Sequence, residues 1–178
     1  MIPQEIKAAS GCSGFQPFYV RGLPAPQGSK RGFVRGGRAV LVESSAKVRP
    51  WREAVVAAAV AALEAGVTSY PRGVPLMVSL RFHVPRPKSH YGTGRNATRL
   101  KPTAPAFPTT MPDLDKLVRS TLDALTTAGM YRDDSQVTKA QVAKRYVAEP
   151  GELTPFGLVP VPWTVPGARI GVYVDRWN

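Results

Sequence analysis

The sequence is poor in the residues that build disulfides and zinc sites. Cys12 is the single cysteine among 178 residues, and only two histidines are present. A lone cysteine excludes an internal disulfide framework, and the usual Cys and His ligands of a zinc cluster are missing. This composition is typical of a reducing compartment, so we expect a cytoplasmic protein.

Acidic residues are also scarce. Twelve Asp and Glu stand against 24 Lys and Arg, which gives a formal net charge of +12. An excess of this size predicts a polyanionic partner, either nucleic acid or an anionic membrane surface. The sequence has no hydrophobic run long enough to cross a bilayer and no basic amphipathic helix, so nucleic acid is favoured.

Length and composition favour one domain. Of the 178 residues, 43% are apolar, which is enough for one hydrophobic core and short for two. Residues 1–14 show no signal-peptide pattern and are predicted to be a flexible tail, followed by a single domain over residues 15–178. Residues 86–110 form a long basic loop without acids. We expect this loop to be disordered or to become ordered on nucleic acid, with an uncoupled flexible insertion as the alternative.

The few acids are concentrated in one stretch. Residues 111–136 contain five of the twelve, and residues 65–112 contain none. The five are Asp113, Asp115, Asp123, Asp133 and Asp134. Carboxylates within a basic surface repel a polyanion unless a cation lies between them, and their hard oxygen atoms suit Mg²⁺ or Mn²⁺. The stretch therefore suggests a divalent metal site, and a structural role for the acids is the alternative.

The apolar residues of this stretch recur with helical spacing. With one threonine they are Leu114, Leu117, Val118, Thr121, Leu122 and Leu125. The pattern predicts an amphipathic helix that buries this face, starts after an N-cap at Asp113 and stops at Gly129. Asp115 lies at the edge of the apolar stripe, with Arg119 one turn further along. Spacing alone leaves a structural role open, because Asp115 and Arg119 also form an ordinary i,i+4 pair.

The other elements alternate between strands and helices. Strands are predicted at residues 18–21, 74–84, 137–147 and 169–174, a hairpin at residues 32–42 and a further helix at residues 45–65. This order predicts a single α+β domain with a mixed β-sheet and two main helices packed on it. His83, on the polar face of the strand at 74–84, is a candidate general base, although a hydrogen-bonded structural histidine is favoured.

Basic residues cluster on the predicted hairpin and its approach. Those on tight, glycine-flanked backbone are Lys30, Arg31, Arg35 and Arg38, and the basic loop adds Arg86 and Lys88. We interpret these residues as DNA-binding, and a solvated charged hairpin is the alternative. Gly28-Ser29-Lys30 lacks the earlier glycine of a P-loop, so no nucleotide cofactor is implied.

Three motifs carry a family resemblance. They are Pro-Asp-Leu-Asp-Lys-Leu at 112–117, Leu-Asp-Ala-Leu at 122–125 and Ala-Gly-Met-Tyr-Arg-Asp-Asp-Ser-Gln at 128–136. Together they resemble the RusA family of Holliday junction resolvases, which are metal-dependent endonucleases. The resemblance is specific over residues 111–147. It is weaker upstream, where Phe82-His83-Val84-Pro85 and Leu23-Pro24-Ala25-Pro26 are similar to the family, and it implies a RusA-like fold.

The resemblance also implies roles for individual residues. Asp113, Asp115 and Asp134 would be the catalytic, metal-binding acids, with Asp133 as an adjacent acid. Two positions depart from the family pattern: Lys116 stands where Asn is common, and Arg119 stands where a functional Lys is frequent. Arginine holds a phosphate bidentately but does not release a proton, so we expect Arg119 to be an electrostatic clamp. Lys116 is expected to contact the DNA.

The resemblance implies Mg²⁺-dependent hydrolysis of DNA by activated water, with paired symmetric nicks across a four-way junction. Two nicks at a nearly two-fold symmetric junction imply a homodimer, and the substrate implies association with the nucleoid. Two alternatives remain open. One is a less selective nuclease for branched or flap DNA, and the other is a DNA-binding protein whose acids are structural.

Overall fold

A computed structural model of the protein describes residues 17–28, 30–43, 46–148, 153–154, 157–158 and 164–176. For the strands at 30–35, 38–43, 153–154 and 157–158 it describes the backbone alone. The predicted tail at residues 1–14 lies outside the described residues, and its separation from a single domain stays a prediction.

The described elements follow the predicted order closely. They are β1 (Phe18–Arg21), β2 (Lys30–Arg35), β3 (Arg38–Glu43), α1 (Val48–Glu64), β4 (Leu76–Val84), α2 (Leu114–Thr127), β5 (Val137–Tyr146), β6 (Leu153–Thr154), β7 (Gly157–Leu158) and β8 (Gly167–Val174). The short β6–β7 pair falls within the Pro- and Gly-rich stretch before β8. The β2–β3 hairpin turns at Gly36 and Gly37, which both have positive φ, as the two central residues of a type I′ turn require.

Four strands form the central sheet in the spatial order β1-β8-β4-β5. β4 and β5 run parallel, with α2 in the connection between them, while β8 is antiparallel to both β4 and β1. The sheet is therefore mixed, β1 and β5 are its edge strands, and the two main helices complete the predicted α+β fold. Within the described residues, no helix is long and apolar enough to span a bilayer.

Both helices cover the same face of the sheet. α1 buries Val48, Trp51, Val55, Ala59 and Ala62, and β4 alternates buried and partly exposed side chains as predicted. Each large apolar side chain buried in this way contributes roughly 1.5–3 kcal/mol. The indole of Trp51 also donates a hydrogen bond to Thr121 Oγ1 (3.3 Å), which joins the two helices. The alanine-rich face of α1 thus packs within its own domain.

The buried face of α2 differs from the predicted stripe. Leu117, Ser120, Thr121, Ala124 and Leu125 are buried, whereas the predicted core residues Leu114, Val118 and Leu122 are half-buried. Ser120 is buried at little cost because its hydroxyl donates to the carbonyl of Ala25 (2.8 Å), in the proline-rich loop after β1. The apolar stripe of α2 is therefore wider than the core contact, and its outer part faces elsewhere.

The basic loop at residues 86–110 contains local structure, and its ordering on nucleic acid stays a prediction. It contains two 3₁₀ turns, Lys88–His90 and Gly94–Asn96, and a bridge between Tyr91 and Leu100. The guanidinium of Arg86 donates to the carbonyl of Pro105 (2.8 Å) and lies 4.2 Å from the ring centroid of Tyr146. These contacts supply the backbone partners and packing that the composition of the loop did not predict.

Candidate active site

An open groove runs between α2 and the edge strand β5. One wall is formed by the half-buried apolar residues Leu114, Val118 and Leu122 of α2. The other is formed by Ala140 and Val142 of β5. Three charged side chains also line it: Asp115, Arg119 and Asp134. The outer part of the apolar stripe of α2 is therefore a wall of the groove. The predicted neighbours Asp115 and Arg119, one turn apart, do face the same space as Asp134.

Asp134 reaches the groove because the turn after α2 is tightly held. Gly129 has φ +78° and ends the helix, and the next two side chains, Met130 and Tyr131, are fully buried. The Tyr131 hydroxyl donates to the carbonyl of Leu122 (3.2 Å), and burial raises the pKa of Tyr131. The chain therefore turns back along α2, and Asp134 follows three residues after Tyr131, at the start of a 3₁₀ turn.

Gln136 fixes this turn from within. Its side-chain oxygen accepts from the backbone N–H groups of Arg132 (3.1 Å) and Asp133 (3.2 Å). Its amide nitrogen donates to the carbonyls of Pro71 (2.8 Å) and Val74 (3.2 Å). All four bonds are made by one buried side chain, and the bond to Val74 is itself buried, so breaking them would leave the carbonyl of Val74 unpaired inside the protein.

Asp133 has a different environment from Asp134. Its carboxylate accepts from the backbone N–H of Ser135 (2.9 Å) and forms a reciprocal capping box with Gln136. Hydrogen bonds from Ser135 lower the pKa of Asp133. Asp133 lines two neighbouring clefts and not the wall of the groove between α2 and β5. The structure thus gives Asp133 a capping role, and metal binding by Asp133 stays a prediction.

The N-terminal end of α2 is held by lysines. Asp113 occupies the predicted N-cap position, but its carboxylate makes no capping hydrogen bond and instead accepts from Lys116 Nζ (2.7 Å). This hydrogen bond and charge, with a further contribution from Lys144, lower the pKa of Asp113. The ammonium of Lys144 donates to the carbonyls of Thr110 and Pro112, both at 2.7 Å. Lys144 therefore ties β5 to the segment that leads into Asp113 and Asp115.

The acids fit a hard divalent cation only in part. Among the described residues, no group of three or more His, Cys, Asp or Glu lies close enough to hold a metal ion. Asp115 and Asp134 come from opposite ends of α2, and the turn after the helix brings Asp134 to the lining of the same groove as Asp115. Mg²⁺ keeps several waters and needs only one or two protein carboxylates, so two carboxylates in an open groove suit its chemistry. The predicted three-acid set of Asp113, Asp115 and Asp134 stays a prediction.

The predicted DNA-binding residues divide into three groups. The side chains of Lys30, Arg31, Arg35 and Arg38 lie outside the described residues, and only their hairpin backbone is described. Arg86 holds the basic loop in place through Pro105 and Tyr146, and Lys116 pairs with Asp113. Lys88 is exposed at the start of a 3₁₀ turn. Their contacts with DNA stay predictions.

His83 lies away from the groove. It is 4% exposed and alternates with the core-facing Phe82 and Val84 of β4, so its side chain is on the opposite face of the sheet from α2. A general base must reach the reacting atoms, which lie in the groove if the acids are catalytic. The structural interpretation favoured for His83 therefore agrees with its position.

Sequence reasoning missed the role of Lys144. In the sequence, Lys144 is one of several cations on a predicted strand. No local pattern indicates that it donates to the carbonyls of Thr110 and Pro112, more than thirty residues earlier in the chain. The alternation of β5 was the available signal. It places Lys144 on the same face as Ala140 and Val142, which is the face toward α2.

All residues that line the groove lie in the part of the chain that is similar to known proteins. The family model described as Endodeoxyribonuclease RusA matches residues 22–153. A protein of Bacillus subtilis (strain 168), named Uncharacterized protein YqaN, is 32% identical over 133 residues. The aligned part is 75% of this chain and 89% of the relative. Both α2 and β5, with every charged residue of the groove, fall within the range matched by the family model.

Proposed function

Because the chain belongs to the RusA family of endodeoxyribonucleases, we propose that it is a Mg²⁺-dependent Holliday junction resolvase. The observation that carries this proposal is the groove itself, where Asp115, Arg119 and Asp134 face one space between α2 and β5. Two carboxylates and a guanidinium suit hydrolysis of a phosphodiester, because the carboxylates can bind a cation and the guanidinium can bind the phosphate.

The carboxylates would bind the cation, and the basic residues would bind the DNA. Asp115 and Asp134 would hold Mg²⁺, or Mn²⁺ in its place, together with waters, and Asp113 would join them if its carboxylate leaves Lys116. When bound, the ion would neutralise charge on the phosphate and lower the pKa of the attacking water. Arg119 would bind the scissile phosphate through its planar fork and keep its proton throughout. Lys116 would then be released to contact the DNA backbone.

Paired symmetric nicks require two such grooves, so we propose that the active form is a homodimer bound to a four-way junction. A less selective nuclease for branched or flap DNA would use the same groove without this requirement. A DNA-binding protein that does not cut would need neither the cation nor the alignment of Asp115 with Asp134.

Cleavage of a labelled synthetic four-way junction separates these functions. A resolvase makes symmetric nicks that need Mg²⁺, and Asp115→Asn abolishes them while binding persists. The matched control is Asp123→Asn, since Asp123 lies outside the groove, with its carboxylate 3.7 Å from Arg52. Preference for a flap over the junction would favour the less selective nuclease. A wild-type protein that shifts the junction on a gel without cutting it would contradict catalysis.

The role of Arg119 has its own test. If the guanidinium acts by charge alone, Arg119→Lys retains much of the cleavage rate, whereas Arg119→Ala loses it. Single-turnover rates on the same junction compare the two variants. A loss with lysine as deep as that with alanine would show that charge alone is not enough.

A further inference from the structure

The two most exposed large apolar side chains of the described residues lie in the segment that leads into α2. Phe107 is 56% exposed and Met111 is 77% exposed. Single apolar residues on a surface are ordinary, but these two lie within five residues of each other and just before Asp113. Residues 105–112 contain three prolines, and we call them the proline segment.

Three cations attach the proline segment to the C-terminal ends of β4 and β5. Arg86, two residues after β4, donates to the carbonyl of Pro105 (2.8 Å). Arg145 of β5 lies over the ring of Phe107, with its guanidinium carbon 4.9 Å from the ring centroid. The neighbouring Lys144 donates to two carbonyls further along the segment, both at 2.7 Å. The backbone is therefore attached on both sides of each exposed apolar residue.

The prolines stiffen the same backbone. Each proline fixes its own φ and restricts the residue before it, so three prolines in eight residues leave few alternative conformations. Pro108 is buried, whereas Phe107 and Met111 on either side of it are exposed. This backbone holds both apolar side chains in solvent. Side chains that are held ready in this way lose little conformational entropy when a partner binds.

The surroundings of the proline segment are basic and free of acids. Residues 65–112 contain no Asp or Glu. The exposed cations earlier in the basic loop are Lys88, Arg95, Arg99 and Lys101. An apolar face of a protein partner would gain nothing from this charge, whereas nucleic acid offers phosphates to the cations and base faces to the apolar side chains. The combination therefore favours nucleic acid as the occupant.

Base faces are accessible only where a stack of base pairs ends. In a continuous duplex every base pair is covered on both faces, whereas the arms of an open four-way junction end at the branch point. Apolar side chains can insert at interrupted base steps, and aromatic rings stack on any base. Side chains that stack in this way distinguish a junction from a duplex.

The position of the proline segment in the chain limits its distance from the acids. Met111 is two residues before Asp113, so their Cα atoms are at most about 7 Å apart, and those of Phe107 and Asp113 are at most about 22 Å apart. Phosphates of one B-DNA strand follow one another about every 3.4 Å along the axis. The apolar pair and the acids can therefore contact the same strand within about six nucleotides.

We propose that Phe107 and Met111 stack on the base pairs exposed at the branch point of a four-way junction. This inference rests on the proposed function, because it assumes that a strand of the junction reaches the groove at Asp115 and Arg119. It makes Phe107 and Met111 specificity-determining residues, which select branched DNA over duplex and take no part in hydrolysis of the phosphodiester.

The test compares binding to two forms of DNA while cleavage is blocked. Protein carrying Asp115→Asn is titrated by fluorescence anisotropy onto a labelled four-way junction and onto a linear duplex with the sequence of two of its arms. The test variant adds Phe107→Ala and Met111→Ala. The matched control adds Val60→Ala and Leu100→Ala, which shorten two exposed apolar side chains outside the proline segment, on α1 and earlier in the basic loop.

We expect the test variant to bind the junction about tenfold more weakly than the control does, while both bind the duplex within about twofold of the parent protein. An equal loss on the two forms of DNA would overturn the inference, because the pair would then be a general DNA contact. Unchanged binding to the junction would overturn it as well. If the double variant does not fold, Met111→Ala alone, at the more exposed position, makes the same comparison.

Conservative variants of Phe107 test stacking itself. Phe107→Tyr keeps an aromatic ring and should retain the preference for the junction. Phe107→Leu keeps an apolar side chain without a ring and should reduce that preference at least about threefold. A leucine variant as selective as the parent protein would contradict stacking.

Two further outcomes keep the proposals apart. If sedimentation shows that the test variant changes the oligomeric state while its preference for the junction is unchanged, the apolar pair binds a second copy, and the inference is wrong. If protein with native Asp115 and both alanines still prefers junctions and cuts them, this inference fails and the proposed function stands. If the wild-type protein neither prefers nor cuts branched DNA, the proposed function fails first.

Discussion

The two ends of α2 supply the acids of the groove, but they are held in different ways. At the C-terminal end, buried Met130 and Tyr131 and the four hydrogen bonds of Gln136 fix the turn that carries Asp134. At the N-terminal end, an exposed ion pair between Asp113 and Lys116 stands beside two bonds from Lys144. Buried side chains hold the first end, whereas the partly exposed ammonium groups of two lysines hold the second.

This difference bears on how a metal site could assemble. Hydrogen bonds inside the core persist as long as the domain is folded, so Asp134 is a fixed point. An exposed ion pair is weak and easily exchanged for another partner. Asp113 is therefore free to change partner when a cation or a phosphate arrives, and the N-terminal end of α2 is the adjustable half of the groove.

The largest effect on cleavage is expected from a substitution of Asp134, at the C-terminal end of α2, and its neighbour Asp133 provides the comparison. Asp134→Asn removes a carboxylate from the groove and should slow junction cleavage about a thousandfold, with stability retained. Asp133→Ala removes the capping acceptor of Ser135 and should lower the denaturation midpoint while most of the cleavage rate persists. Single-turnover rates and urea melts of both variants provide the measurement. Equal loss of cleavage would place Asp133 in the metal site as well.

A large loss of stability is expected from Gln136→Ala. The substitution leaves the buried carbonyl of Val74 and three partly buried backbone groups without partners, and should cost about 1–3 kcal/mol of unfolding free energy. At the other end of α2, Lys116→Ala should change the unfolding free energy little, because its ion pair is exposed. Urea denaturation compares the two. A similar cost at both ends would contradict the division between a buried and an adjustable end.

Lys144→Met should give an intermediate effect that is catalytic and not structural. Loss of the two bonds to Thr110 and Pro112 loosens the segment before Asp115, so we expect about a tenfold slower cleavage rate and a higher Mg²⁺ requirement. Lys144→Arg should restore part of the rate because it still donates. An unchanged Mg²⁺ dependence with a lower denaturation midpoint would assign Lys144 to stability alone.

The smallest effect concerns the protonation of Asp113. Hydrogen bonding and charge from Lys116 lower its pKa below the usual 3.8, so the contact stabilises the fold above that value and is lost as the pH falls through the lowered pKa. In Lys116→Met the pKa of Asp113 should rise toward 3.8, while that of Asp133 stays low because Ser135 still bonds it. Carboxyl NMR titrations measure both. A shift of Asp133 as well would show that the two ends are coupled.

Much of the fold was predictable because its patterns are local. The strand at residues 18–21, the hairpin at residues 32–42 and the stop of α2 at Gly129 depend on neighbours in the chain, and each prediction agrees with the structure. The stripe of α2 was predicted only in part. Residues 114, 118 and 122 have the spacing of core residues, but a half-buried groove wall produces the same spacing.

The sequence by itself determined the strands, the helices, the excess of positive charge and the acids that flank α2, because composition and periodicity record these directly. Tertiary structure alone decided that Asp134 faces the same groove as Asp115, that Lys144 bonds the segment before α2, and that Arg81 lies opposite Arg169. Each of these relations joins residues far apart in the chain. Their distances depend on how α2, in the connection from β4 to β5, packs on the sheet and on which strands lie beside β4, and local patterns contain neither.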